Sequence, residues 1–264
     1  MILDKIIEAK KAEVTKRKEL YPVKLLEQST YFKGQPVSLT KYLSRDDLVG
    51  IIAEIKRKSP SKGAINEFVD IETVSVGYMQ AGASALSVLT DTEFFGGSSE
   101  DLTVARSFNF CPILRKDFIV DEYQVVEAKS IGADVILLIA AALESKEIET
   151  LSGFAKGLGL EVLLEVHSLE ELEKSPLQNV DVVGVNNRDL KTFTVDTKTS
   201  LEILPKIPSE KLKISESGIR EPKDLVELKK AGFDGFLIGE RFMQESRPHE
   251  ACSHFISEVR ELLS

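Results

Sequence analysis

The chain has 264 residues, 42% of them hydrophobic and 29% charged, with a formal net charge of −9. That much apolar side chain supports a sizeable core and excludes a disordered polymer, and the net negative field opposes binding to nucleic acid or to an anionic membrane. Cys111 and Cys252 lie far apart without CxxC or metal-ligand spacing, which predicts two reduced, buried thiols and a cytoplasmic location.

The chain opens on an amphipathic helix carrying Ile2, Leu3, Ile6, Ile7 and Val14, and a second short helix is expected near Leu25. Charges of both signs begin at the fourth residue, so this start lacks the unbroken apolar core of a secretion signal. No Pro, Gly or Ser tract follows it. Residues 1–45 are therefore expected to pack as a helical extension on a catalytic domain spanning 46–264, because so short a piece buries little core alone.

From Leu48 onward, apolar runs of strand length alternate with amphipathic helices. The runs are Gly50 to Lys56, Ala85 to Thr90, Pro112 to Lys116, Asp134 to Ile139, Glu161 to Val166, Val182 to Asn186, Leu212 to Glu216 and Gly235 to Gly239. Most are apolar throughout, as parallel strands covered on both faces require, and stretches such as Glu122 to Ser130 and Glu221 to Ala231 supply the covering helices. Eight such units predict an α/β fold, a single (βα)8 TIM barrel with an N-terminal helical extension; a doubly wound open sheet is the alternative. A weak repeat supports the barrel: AGASALSVL, IGADVILLI and AGFDGFLIG each join a helix-ending glycine to a buried strand. The most apolar stretch, Val135 to Leu143, is far shorter than the roughly 20 residues a membrane-crossing helix needs.

In a barrel the carboxyl ends of the strands converge on one mouth, so polar residues that close apolar runs carry weight. Here they are Glu54 and Lys56 on the first strand, Lys116 on the third, Glu165 on the fifth, Asn186 and Arg188 on the sixth, and Glu216 with Ser217 on the seventh. Glu54 and Lys56 share a face, and as a pair they suit a structural salt bridge as well as catalysis. Lys116 and Glu165, arriving from separate strands, can divide acid and base work. The loop KRKSPSKG and the turns SESGI and LIGER, on opposite sides of one mouth, suit a phosphorylated ligand. Lys56, Arg57, Lys58, Lys62, Lys116 and Arg188 would supply the positive field that the acidic whole lacks. Phe94, Phe95 and Phe118 fall in loops near the mouth and can line a flat ring site or simply anchor those loops. Of the histidines only His167 follows a strand, and His249 and His254 have no third ligand near them, so no metal is assigned.

AEIKRKSPSKG, ILRKDFIV, LLEVH, VGVNNRDL, SESGI and LIGE occur in this order, and the set resembles the indole-3-glycerol-phosphate synthase family from Val49 to the last helix, with the likeness extending into the amino-terminal extension. The resemblance implies conversion of 1-(2-carboxyphenylamino)-1-deoxyribulose 5-phosphate to indole-3-glycerol phosphate, carbon dioxide and water in tryptophan biosynthesis, by a carboxy-lyase without cofactor or metal. It implies that Lys116 is the general acid at the ketone and Glu165 the acid/base carboxylate of the dehydration, with Glu54 and Lys56 beside them. Asn186, Glu216 and Ser217 would orient the sugar hydroxyls and neighbouring charges. Arg188 and Lys56 would hold the substrate carboxylate. Ser59, Ser217, Gly218, Gly239 and the amide of Glu240 would hold the phosphate; some relatives carry serine in place of Glu240. Phe95, Phe118, Leu137, Ile139 and Leu190 would form the apolar pocket for the anthranilate ring. The implied partner is a small-molecule sugar phosphate, in a monomer or weak homodimer. A Schiff-base aldolase using Lys116 and a non-catalytic barrel that binds a phosphate ligand remain the alternatives.

Overall fold

The computed structural model describes residues 2–264, so Met1 of the predicted extension lies outside the described residues. Several helix starts are marked by side chains that accept from otherwise orphaned amides. Asp70 accepts from Thr73, Ser98 from Asp101, Asp121 from Tyr123 and Ser168 from Glu171, while Glu144 and Glu221 open capping boxes. The helices are α1 (Ile2–Leu20), α2 (Val23–Leu26), α3 (Leu39–Leu43), α4 (Ile71–Ala81), α5 (Ser99–Phe108), α6 (Glu122–Ser130), α7 (Ser145–Gly157), α8 (Leu169–Lys174), α9 (Lys198–Ile203), α10 (Pro222–Ala231), α11 (Glu240–Met243) and α12 (Pro248–Leu263). At the three repeated junctions, Gly82, Gly132 and Gly232 all take positive φ, between 98° and 119°. This left-handed turn is what glycine permits at the end of a helix, and it sends the chain straight into the next strand.

The barrel strands are β1 (Ile51–Ile55), β2 (Ala85–Leu89), β3 (Ile113–Lys116), β4 (Val135–Ile139), β5 (Glu161–Val166), β6 (Val182–Asn186), β7 (Leu212–Glu216) and β8 (Gly235–Ile238). Each pairs in parallel with its sequence neighbours, and β8 closes on β1 through Ile51↔Phe236 to Ala53↔Ile238. All eight predicted runs became strands, with ends trimmed by at most one residue. Alternation sorts their side chains into two cores. Ile52, Leu114, Leu137, Leu163, Ile214 and Leu237 fill the barrel, whereas Ile51, Leu86, Ile136, Leu164, Val183 and Phe236 pack outward under the helices. A two-residue ladder, Lys58–Ser59 against Gly63–Ala64, stiffens the loop after β1.

The residues before β1 run from one end of the barrel to the other. At the amino-terminal end, Leu39 and Leu43 of α3 join the interior core. Ser38 Oγ, the Thr40 amide and Thr40 Oγ1 donate to the Glu161 carboxylate over 2.6–3.0 Å, and the Val37 amide donates to Asp134 at 2.7 Å. At the mouth, α1 buries Leu3, Ile6, Lys10 and Val14 on one stripe, while Ile7 is only half-buried. Both cysteines are free and buried, and burial pushes the Cys111 thiol up to about 12. Among the described residues no helix is long and apolar enough to cross a membrane.

Candidate active site

Because successive residues of a strand point to opposite faces, the odd-numbered strands each deliver one polar side chain to the inside at the same height. Glu54 comes from β1, Lys116 from β3, Glu165 from β5 and Glu216 from β7, a single barrel layer made of charge instead of hydrocarbon. Lys116 Nζ donates to Glu165 Oε2 at 2.8 Å and to Glu216 Oε2 at 2.6 Å. Lys56, just past β1, donates to Glu54 Oε1 at 2.7 Å. The predicted inward ion pair and the predicted lysine–carboxylate meeting are both present.

Three buried carboxylates around two ammonium groups perturb one another. Burial disfavours the Lys116 ammonium, but Glu165, Glu216 and Glu54 outweigh it and hold the group well above the ordinary lysine range. Burial likewise pulls Glu165 up, and the charges of Lys116 and His167 overcome it, leaving that carboxyl low. Glu216 goes the other way. Burial and the neighbouring Glu165 charge exceed the help it draws from Lys116, so its carboxyl rises to about 7. Glu216 Oε1 is buried and, among the described residues, has no hydrogen-bond partner. Two carboxylates sharing one ammonium thus leave a place for one exchangeable proton at neutral pH.

The carboxylates fit because the even strands withdraw. A Cβ on Gly184 of β6 would lie 2.4 Å from Glu216 Oε1, and one on Gly239, which follows β8, would lie 2.6 Å from Glu54 Oε1. Each glycine is the space its neighbour's carboxylate occupies.

Above this layer opens a cavity of about 720 Å³. It is lined by every residue to which the family resemblance gave a role: Glu54, Lys56, Ser59, Phe95, Lys116, Phe118, Leu137, Ile139, Glu165, Asn186, Arg188, Leu190, Glu216, Ser217, Gly218, Gly239 and Glu240. Phe95 and Phe118 meet with ring centroids 5.9 Å apart and form an aromatic wall. Opposite them, Ser217 and Gly218 take consecutive positive φ values of 66° and 83°. The Ser217 carbonyl accepts from Asn187 Nδ2 at 3.0 Å, which holds this strained turn in place. Arg188 and Lys62 reach toward Glu240 at 3.4 and 3.5 Å, so cations from the loops after β6 and β1 already converge at that end of the cavity.

Some of the basic field read from the KRKSPSKG loop turns elsewhere. Arg57 forms a forked pair with Asp101 of α5, one arm at 2.9 Å, and Lys58 donates to the Glu93 carbonyl at 2.7 Å. Neither lines the cavity, nor does Phe94. Conversely, Ile2, Leu3 and Ile6 of α1 line it, as do Asp117, Phe193 and Val195, none of which strand-end reasoning singled out. The most informative omission is Lys10. Its ammonium lies 3.0 Å from both Asp91 and Asp117, at the ends of β2 and β3, and fixes α1 over the mouth. A lysine in phase with the apolar stripe Leu3, Ile6 and Val14 was the available signal. Among the described residues no cluster of three or more His, Cys, Asp or Glu side chains has the arrangement of a metal site.

Known proteins of similar architecture include a thiamine phosphate pyrophosphorylase from Pyrococcus furiosus, with a TM-score of 0.61 at 17% identity over 86% of this chain and 100% of that one. A structure titled native KDPGal is similar at a TM-score of 0.57 and 13% identity, over 81% of this chain and 93% of that one. At such identities the likeness concerns the barrel alone. Sequence relatives are much nearer. Proteins named indole-3-glycerol phosphate synthase from Bacteroides thetaiotaomicron and Caldanaerobacter subterraneus are each 45% identical across 98% of this chain and 99% of their own length. One from Campylobacter fetus is 43% identical across 95% of this chain and 97% of its own. Residues 3–255 match the family model described as indole-3-glycerol phosphate synthase. With the polar barrel layer, the cavity above it and this full-length similarity in agreement, the chain belongs to the indole-3-glycerol phosphate synthase family.

Proposed function

We propose that this protein converts 1-(2-carboxyphenylamino)-1-deoxyribulose 5-phosphate to indole-3-glycerol phosphate, carbon dioxide and water, and is thus a carboxy-lyase. The observation that carries the reading is the Lys116 ammonium, shared by Glu165 and Glu216 on the floor of a cavity with one apolar wall. The flat ring would lie against Phe95, Phe118, Leu137, Ile139 and Leu190, with its carboxylate toward Lys56 and Arg188. The phosphate would sit at Ser59, the Ser217–Gly218 turn and the amides of Gly239 and Glu240. Residues 1–45 would act as part of this one catalytic unit, with α1 as a wall of the site.

Lys116 would donate to the ketone oxygen while the ring carbon bearing the carboxylate attacks the carbonyl carbon. Loss of carbon dioxide returns the bonding pair to the ring. Departure of the hydroxyl as water and removal of a proton from the carbon beside nitrogen, the latter by Glu165, complete the indole. Asn186, Ser217 and Glu216 would hold the sugar hydroxyls during these transfers. A lysine held protonated by its neighbours is a poor nucleophile, which favours this acid role over a Schiff-base aldolase.

Incubating purified protein with the carboxyphenylamino sugar phosphate and following indole fluorescence tests the proposal. Product formation at catalytic protein concentration is expected, and borohydride should trap no adduct on Lys116. Absence of the indole signal would overturn the reading.

A further inference from the structure

His167 takes no part in the chemistry described above, yet it stands directly behind the active-site carboxylate. Lys116 engages Glu165 Oε2, while Glu165 Oε1 faces His167 Nε2 at 3.3 Å. That nitrogen is buried and, among the described residues, makes no hydrogen bond of standard geometry. On the other side of the ring, Nδ1 lies 3.3 Å from Glu171 Oε2. The same oxygen accepts the His167 backbone amide at 2.7 Å, which fixes the carboxylate against the ring. Side-chain exposure rises along the series, from 6% at Glu165 through 9% at His167 to 18% at Glu171, so the array leads from the barrel floor outward to solvent.

The proposed reaction, on which this inference rests, has an unmet proton requirement. The ketone oxygen takes one proton at ring closure and a second as it leaves as water, and only one is returned by the carbon beside nitrogen. The substrate carboxylate departs as neutral carbon dioxide, so each turnover draws one proton from solvent. The mouth, by contrast, is walled on one side by α1 and would be occupied by bound substrate.

We propose that Glu165, His167 and Glu171 form a relay that brings this proton from water to the active-site carboxylate. The imidazolium breaks its Nε2–H bond and forms an O–H bond at Glu165 Oε1. Glu165 then passes its proton to the Lys116 amine, 2.8 Å away, which has given its own to the ketone oxygen. Lys116 can thus protonate the leaving hydroxyl, and Glu165 is again a carboxylate when it takes the proton from the carbon beside nitrogen. After the neutral ring exchanges tautomer, a proton from water passing by way of Glu171 restores the imidazolium at Nδ1. The charged groups around the ring suit the task. Burial opposes the imidazolium, but Glu171 from α8, Glu165 from β5 and Glu216 from β7 outweigh it, and Lys116 stands beyond Glu165. Protonated histidine therefore persists above its ordinary value of 6.5, and delivery fails as pH rises through the elevated value. His167 acts through Glu165 and does not touch substrate; it is a positioning residue that also carries the proton.

The test uses the full chain with His167→Ala and Glu171→Gln, assayed by indole fluorescence across the neutral and alkaline range with increasing imidazole at constant ionic strength. For H167A, kcat should fall by about tenfold or more while KM changes by less than about twofold, and imidazole should restore the rate in H167A and not in wild type. The alkaline limb of the wild-type profile should shift in H167A. Loss of rate that neither responds to imidazole nor moves the pH profile would mean that the ring only packs, and would overturn the relay. The partly exposed E171Q keeps the test decisive if H167A fails to fold. Its kcat should drop by about twofold to tenfold with an unchanged melting temperature, and wild-type rates at every pH would overturn the relay. Failure of wild type itself to turn over the substrate would sink the proposed function instead, so the two failures are distinguishable.

Discussion

Two lysines in this molecule each bridge buried carboxylates, Lys10 holding Glu13 as well at 2.7 Å, and they are built for opposite ends. Lys10 of α1 contacts Asp91 and Asp117 at 3.0 Å each, with side-chain exposures of 2%, 2% and 1%. Asp117 also meets Arg115, which meets Glu127, which in turn meets Arg17 of α1. Lys116 lies between Arg115 and Asp117 in sequence but points the other way, into the barrel, because strand residues alternate faces. Lys10, Asp91, Asp117, Arg115 and Glu127 of the outer cluster are each at most 2% exposed, and each of its acids has a cation. The inner cluster opens on a cavity of about 720 Å³ and keeps one buried carboxylate oxygen with no hydrogen-bond partner among the described residues. The same residue types thus give rigidity where the charges are balanced and dry, and reactivity where they are unbalanced and reachable.

That contrast is most sharply tested at the two lysine-bound clusters themselves. Lys116→Met should lower kcat/KM by about a thousandfold while affinity for inorganic phosphate, read by equilibrium titration, falls far less, because a proton donor acts mainly in the transition state. Equal losses in both would break the assignment. In the outer cluster, Asp117→Asn should instead cost stability, about 3 kcal/mol from the urea midpoint at neutral pH, by leaving Lys10 and Arg115 short of a counter-charge. Burial raises the Asp117 carboxyl, but Arg115 and Lys10 overcome it and lower the group from 3.8 to about 2. A depressed carboxyl stabilises the fold above its unfolded value and loses that contribution as pH falls through the folded one. The gap between D117N and wild type should therefore be full above pH 3.8 and close toward about 2. A gap independent of pH would mean that the loss is steric.

The inner cluster was legible in the sequence because strand ends announce it: Glu54, Lys116, Glu165 and Glu216 each lie at or within two residues of the end of a predicted strand. The strands were legible as well, being dry on both faces. The outer cluster was not, because Lys10 acquires meaning only when loops some 80 and 107 residues further on bring Asp91 and Asp117 to it. Direction was a second blind spot. Arg57 and Lys58 read as part of a basic mouth, and the chain turn after β1 aims them at Asp101 and the Glu93 carbonyl. For His167 the four-residue spacing to Glu171 was visible, but the ring's position behind Glu165 depends on the turn into α8.

Two smaller perturbations of Glu216 sharpen the comparison. Gly184 lies within β6 at an ordinary φ, so alanine there introduces no backbone strain, only a methyl 2.4 Å from Glu216 Oε1 and 3.3 Å from Ile214 Cγ1. The carboxylate must move and its 2.6 Å contact with Lys116 must loosen. Gly184→Ala should lower kcat by about tenfold with a stability loss of about 1 kcal/mol, measured by turnover and urea unfolding. A fully active variant would show that Glu216 tolerates displacement.

Glu216→Gln removes a carboxylate from the inner cluster as D117N does from the outer one, and the stability effect should carry the opposite sign. Burial and the Glu165 charge raise the Glu216 carboxyl from 4.5 to about 7. A raised carboxyl helps the fold only while it holds its proton, so its contribution is present below 4.5 and lost as pH rises through about 7. A glutamine that never ionises escapes that loss. E216Q should therefore match wild type in acid and exceed it by about 1 kcal/mol above neutrality, while turning over more slowly, as expected where a site stores charge at the expense of the fold. A variant less stable than wild type at alkaline pH would mean that Lys116 needs both of its carboxylates, and that the inner cluster is as structural as the outer one.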